Sequence, residues 1–138
     1  MSLQSPLARV IGLGTAKDGA GHWWSQRISA VALLLLGPWL LLSLISLGDA
    51  GYAAVTSWIA APVHSVLLGL LVVAIAYHAQ LGLQVVVEDY VAHKGTRVIM
   101  LLVINFALLL LAVLGVFAIL RIALTTAPAI RVQLGMGG

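Results

Sequence analysis

No cysteine occurs anywhere in the 138 residues of this chain. That absence removes disulfides, thiolate-bound iron–sulfur clusters, thiolate-ligated haem and C-x-x-C-H haem attachment from what it can build alone. It says nothing of compartment, because a chain without thiols is indifferent to redox poise. Charge is almost as scarce: Asp, Glu, Lys and Arg make up 8% of the residues, against roughly 25% in soluble domains. So few charged groups cannot cover a water-soluble fold of this length. With 62% hydrophobic residues, the expected solvent is a membrane. The net charge of +3 comes from seven Lys and Arg spread along the chain, which makes no basic patch and no nucleic-acid signal.

What is present is organised as three uncharged runs, 28–47, 63–87 and 98–120, of 20, 25 and 23 residues. Each reaches the roughly 20 residues that cross a hydrocarbon core of about 30 Å. Backbone amides in lipid have no water to bond, and three segments cannot close a barrel, so the runs should be helices. The expected fold is all-α: a single membrane domain over 1–138, with three transmembrane helices. The segment 1–27 lacks an apolar core of secretory-signal length, and the first run is too long to be one, so it reads as a retained membrane helix. Gly37-Pro38 inside that run is tolerable in lipid and is expected to kink it. Tyr52 and Trp58 in the first joint suit an interfacial belt, as do Trp23 and Trp24 before the first run.

Basic residues orient the bundle. Arg9, Lys17 and Arg27 precede the first run, and Lys94 and Arg97 lie between the second and third; the first joint has none, and the segment 121–138 has Arg121 and Arg131. The bias puts the N-terminal segment and the loop "EDYVAHKGTR" in the cytoplasm, with the 121–138 tail outside. Trp39, Ser43, Ser46 and Asn105 lie within the apolar runs and would prefer another helix to lipid. A partner subunit, and hence a hetero-oligomeric bundle, is expected on these grounds.

The stretch "AYHAQLGLQVVVEDYV" carries the chemistry. His78 stands well inside the second run, where an ionisable group costs a few kcal/mol and faces an interior, a partner or a pathway. Taken alone it is equally a hydrogen bond between helices or a functional group, either an axial ligand to haem iron or a proton-relay step. His64 is about 21 Å away along the same helix, so a second axial histidine would have to come from another chain. At 100° per residue, positions 78, 82, 85 and 89 fall on one stripe, and Gly82 leaves a shallow place where a flat ring could approach the imidazole. Small-residue helix packing explains that glycine as well. Asp89 returns to the angle of His78 about 16 Å further on, with Tyr90 beside it at the membrane surface. A Tyr hydroxyl can donate to a carbonyl oxygen and an Asp can relay a proton, which suits a lipid-soluble substrate that takes up protons. The plain alternative is an interfacial Tyr and acids that close a helix, although acids at a C-terminus oppose the macrodipole. His22 and Arg27 in "GHWWSQRISAVALL" share that cytoplasmic surface; Arg27 either anchors the helix or clamps a carboxylate or propionate.

These pieces together, "GHWWSQRISAVALL" and "YHAQLGLQVVVEDYV" in a three-span chain, resemble the succinate dehydrogenase hydrophobic membrane anchor subunit of respiratory complex II. The resemblance implies a subunit without catalytic residues of its own in an enzyme complex of the tricarboxylic acid cycle. It implies that His78 is an axial ligand of haem b, the other coming from the cytochrome b subunit. It implies that Asp89 and Tyr90 line the ubiquinone site, and that Arg27 and His22 lie near the haem propionates and quinone pocket. It further implies an iron–sulfur subunit on the cytoplasmic face, a flavoprotein carrying FAD above it, and a place in the bacterial inner membrane. A fumarate reductase anchor running the reverse reaction, an anchor that keeps the quinone site without haem, and a small haem-free protein with a His78–Asp89 proton path are the rival readings.

Overall fold

A computed structural model describes residues 16–133, with side chains described over 20–126. Arg9, the side chains of Lys17 and Arg131, and residues 134–138 of the tail lie outside the described residues. Four helices follow one another: α1 (Ala16–Leu47), α2 (Tyr52–Ala60), α3 (Pro62–Tyr90) and α4 (Lys94–Gln133). There is no strand among the described residues. Three of the helices are long and apolar enough to cross a membrane, over Ala20–Leu47, Pro62–Tyr90 and Lys94–Thr126. The chain is a multi-pass, all-α membrane protein.

The helices outrun the uncharged runs in the sequence, and the reason is local. Hydropathy marks the part of a helix that sits in hydrocarbon, while the hydrogen-bonded ladder continues into the interface wherever no breaker stops it. The first helix starts twelve residues before Ile28 and passes through Pro38 as one element. The loop "EDYVAHKGTR" shrinks to Val91–His93: Glu88, Asp89 and Tyr90 form the last turn of α3, and Lys94 opens α4. Part of the 121–138 tail is likewise the continuation of α4 to Gln133.

The ends are set by specific residues. α1 stops where Gly48 takes a left-handed φ of +50°, a conformation that suits glycine at a helix C-terminus. The first joint is not open coil, because α2 occupies nine of its residues. Ala61 is extended (φ −63°, ψ 129°), as the residue before a proline tends to be. Pro62 then starts α3, where its missing N–H costs no helical bond. Where α3 passes into α4 the Arg97 guanidinium donates through Nε and Nη2 to the Val91 carbonyl (3.0 and 2.8 Å). That fork fastens the α3–α4 turn from below.

α3 is the central helix, in contact with both α1 and α4, and α2 packs on α3 and α4. At Gly115 α3 and α4 approach so closely that an added Cβ would lie 3.0 Å from Val72 Cγ1. Little is buried: Ala60, Leu71, Leu81 and Val87 form the apolar core, with Ser29 the buried polar residue. Most of the other large apolar side chains described are exposed and the rest half-buried, as suits a chain surrounded by lipid or neighbouring helices. Tyr77, Gln80 and Asn105 gather on one such face, in a groove of about 160 Å³ between α3 and α4.

At the end of the bundle away from the α3–α4 turn an aromatic cluster joins three helices. Trp58 of α2 stacks on Trp39 of α1 (5.9 Å) and on His64 of α3 (4.5 Å), and Trp39 and His64 are 6.1 Å apart, so the three rings form a triangle. His64 Nδ1–H donates to the Trp58 carbonyl (2.8 Å). This gives His64 a structural task and fixes α2 against the bundle. The glycine contact makes the first prediction. Gly115→Val should force α3 and α4 apart and cost about 1–3 kcal/mol, the usual range for overpacking. Thermal unfolding in detergent should show the drop, and an unchanged midpoint would mean that the helices do not meet at Gly115.

Candidate functional site

His78 lies midway along α3 and turns toward α1, where it meets two polar side chains one turn apart. Ser29 Oγ is 3.0 Å from His78 Nδ1 and also 3.0 Å from the Gln26 carbonyl oxygen. A hydroxyl has one proton, and a carbonyl can only accept. Ser29 therefore donates to the Gln26 carbonyl and accepts from His78 Nδ1–H. The ring is thereby held in the tautomer whose Nε2 carries a lone pair. Such an orienting bond on one nitrogen decides what the other can do. Ser29 is itself buried, 5% exposed, so competition from water is small.

The Nε2 lone pair faces the Gln26 side chain, whose Nε2 lies 3.5 Å away. That is beyond the usual 2.7–3.2 Å, so the bond is weak. The same Gln26 nitrogen is 3.8 Å from where a Cβ on Gly82 would stand. Gln26 therefore lies over the shallow place that Gly82 leaves beside the imidazole. Two atoms here, Gln26 Oε1 and His22 Nε2, are buried and have no hydrogen-bond partner among the described residues. They are one turn apart on the same face of α1. Buried polar atoms are normally paired.

The other residues singled out in the sequence are less enclosed. Asp89 and Tyr90 are on the last turn of α3 and exposed, Tyr90 by 85%. Glu88 accepts from Gln84 Nε2 at 2.9 Å one turn below. Arg27 is exposed, with its guanidinium carbon 4.5 Å over the Trp23 ring, a cation–π contact at the helix entrance. The structure thus gathers His22, Gln26, Ser29, His78 and Gly82 between α1 and α3. Arg27, Asp89 and Tyr90 lie toward the end of the bundle that holds the α3–α4 turn, and His64 belongs to the aromatic stack at the other end. Among the described residues there is no group of three His, Cys, Asp or Glu side chains placed to hold a bare metal ion.

The succinate dehydrogenase/fumarate reductase transmembrane subunit family matches residues 1–127 of the chain. A succinate dehydrogenase hydrophobic membrane anchor subunit of Rickettsia bellii (strain RML369-C) is 31% identical over 106 residues, covering 77% of this chain and 85% of the relative. That of Rickettsia conorii is 31% identical over 93 residues, 67% of this chain and 74% of its own. A Paracoccus denitrificans anchor subunit of the same name is 27% identical over 93 residues. The chain belongs to the succinate dehydrogenase membrane anchor family.

Within this succinate dehydrogenase anchor, sequence reading singled out His78 but missed Gln26 and Ser29. Both sit in the quoted "GHWWSQRISAVALL", and their three-residue spacing puts them on one helix face. That face is a usable signal once α1 and α3 are taken as neighbours. Ser29→Ala would leave His78 Nδ1–H without its acceptor. The expected result is a loss of about 1 kcal/mol of stability and a shift toward the tautomer protonated at Nε2, read from imidazole nitrogen chemical shifts. An unaltered tautomer would mean that Ser29 does not orient the ring.

Proposed function

We propose that this anchor subunit holds the water-soluble half of succinate dehydrogenase to the bacterial inner membrane, with its N-terminal segment and α3–α4 turn in the cytoplasm. It would contribute one axial ligand to haem b and one wall to the ubiquinone-reducing site. Membership of the anchor family supports the attachment role, and the surplus of Lys and Arg at the cytoplasmic end supports the orientation. The exposed apolar surface, and the Tyr77, Gln80 and Asn105 side chains set in a mainly apolar groove, support a partner bundle, which we take to be the cytochrome b subunit. The iron–sulfur subunit and the FAD-bearing flavoprotein would complete the complex from the cytoplasmic side.

The observation that carries the haem reading is the orientation of His78. Its Nδ1–H is engaged by buried Ser29, which leaves a directed Nε2 lone pair at membrane depth. A histidine ligand fixed through its second nitrogen is the usual arrangement in metal sites. Gly82 adds no side chain to the adjacent surface, which the Gln26 amide covers, so the residues present fit a flat macrocycle once Gln26 turns aside. When bound, the haem supplies a one-electron carrier close to the quinone.

Asp89 and Tyr90 would serve the substrate. Ubiquinone takes two electrons, arriving from the iron–sulfur subunit, and two protons from cytoplasmic water to become the quinol. The Tyr90 hydroxyl can donate to a quinone carbonyl oxygen, and the Asp89 carboxyl can pass protons from water to that oxygen as its charge develops. Their exposure on the rim of the isolated chain suits a pocket whose remaining walls come from partners.

The two sites make separable predictions. His78→Ala should alter or abolish the low-spin haem spectrum of the purified complex while leaving succinate oxidation by an artificial dye intact. An unchanged spectrum would refute the ligand assignment. Tyr90→Phe removes one donor and should lower quinone reduction about tenfold, the value of ~1.4 kcal/mol in the barrier, with haem content retained. Equal loss of both would point to misassembly and count against a quinone contact.

A further inference from the structure

Gln26 sits where a ligand to His78 Nε2 would have to come, and it sits there poorly. Its amide makes one long contact of 3.5 Å. Among the described residues its buried Oε1 has no partner, and neither has Nε2 of His22 one turn earlier. Side chains at i and i+4 of a helix lie about 5–6 Å apart at Cβ. Helical side chains also lean toward the N-terminus, which for Gln26 is toward His22. A rotation of Gln26 about its own side-chain bonds would bring Oε1 to the His22 imidazole. Both unpaired atoms would then be paired with each other, and the His78 lone pair would be clear.

We propose that Gln26 is a two-position plug on the haem site and that His22 is its latch. This rests on His78 being the haem ligand. In the inward position, seen here, the amide covers the imidazole and the Gly82 surface and gives His78 Nε2 a weak donor. In the outward position, Gln26 Oε1 accepts from His22 Nε2–H and the slot over Gly82 opens. The inward position leaves Gln26 Oε1 and His22 Nε2 unsatisfied among the described residues. The outward one pairs them and in exchange gives up the weak contact to His78 Nε2, so the two positions lie close in energy until the His78 lone pair is taken up by iron. The plug therefore shields a ligand at membrane depth, yet yields to an incoming macrocycle with little opposition. Gln26 and His22 are positioning residues, since both act through access to His78.

The test is haem uptake by the full complex, assembled in haem-limited cells, purified in detergent and titrated with haem b at its Soret band. Gln26→Ala, with no plug, should take up haem about fivefold faster than the parent. His22→Ala, with a plug but no latch, should be about fivefold slower, the factor carried by one hydrogen bond. Gln26→Leu fills the slot and cannot latch, so it should be slow like His22→Ala. The double variant should match Gln26→Ala, because a latch is idle without its plug. If His22→Ala slows uptake equally in the Gln26→Ala background, His22 contacts the haem directly and the latch is overturned. If Gln26→Ala slows uptake, the glutamine supports the site and the plug is overturned. His78→Ala tested alongside separates the two levels: a normal Soret band there would overturn the ligand assignment itself, whatever Gln26 does.

Discussion

A polar group in hydrocarbon must find its partner within the protein, and the rest of this structure depends on that constraint. It makes the three long segments helical, since only a helix satisfies its backbone unaided. It also governs the side chains. Ser43, Ser46, Thr56, Ser57, Ser65 and Thr125 each return their hydroxyl to a carbonyl three or four residues back on their own helix. Ser29 does the same with the Gln26 carbonyl, and its remaining lone pair is then available for His78. The tautomer of the central histidine thus follows from a habit of membrane serines, applied at the one place where α1 and α3 bring polar residues together.

The thin core has the same origin. In water, so many outward-facing leucines and valines would drive collapse; in lipid they are solvated. Packing specificity must then come from shape and from a few polar contacts. Gly115 against Val72 supplies the first, and the Ser29–His78 pair and the aromatic cluster supply the second. The two ends of the bundle are held differently. One end is closed by Trp39, Trp58 and His64, while the end at the α3–α4 turn keeps Asp89 and Tyr90 exposed.

Much of this was legible in the residues. The three spans follow from uninterrupted apolar runs, and His78, Asp89 and Tyr90 stand out because polar residues are rare in such a chain. The short helix α2 was not legible, since its nine residues are too few for a span and sit between glycine and proline signals that read as coil. The extension of α1 back to Ala16 was hidden by the glycines at 19 and 21. Glu88, Asp89 and Tyr90 read as loop because charge was taken for the end of the helix, when it marks only the end of the hydrocarbon. Ser29 and Gln26 were invisible for a different reason. Serine and glutamine are unremarkable in sequence, and what distinguishes them is a neighbour 49 or 52 residues away. His64, without a role in the sequence, gained one as soon as its stacking partners were in place.

The placing of the tryptophans has an optical consequence. The chain has four, and they divide into two pairs: Trp23 with Trp24 in edge contact at 5.2 Å near the start of α1, and Trp39 stacked on Trp58 toward the opposite end of the bundle. One pair borders Arg27 and the other borders His64, so the two pairs report different surroundings. Indole emission from this chain therefore comes from the two ends of the bundle, each with its own native probe.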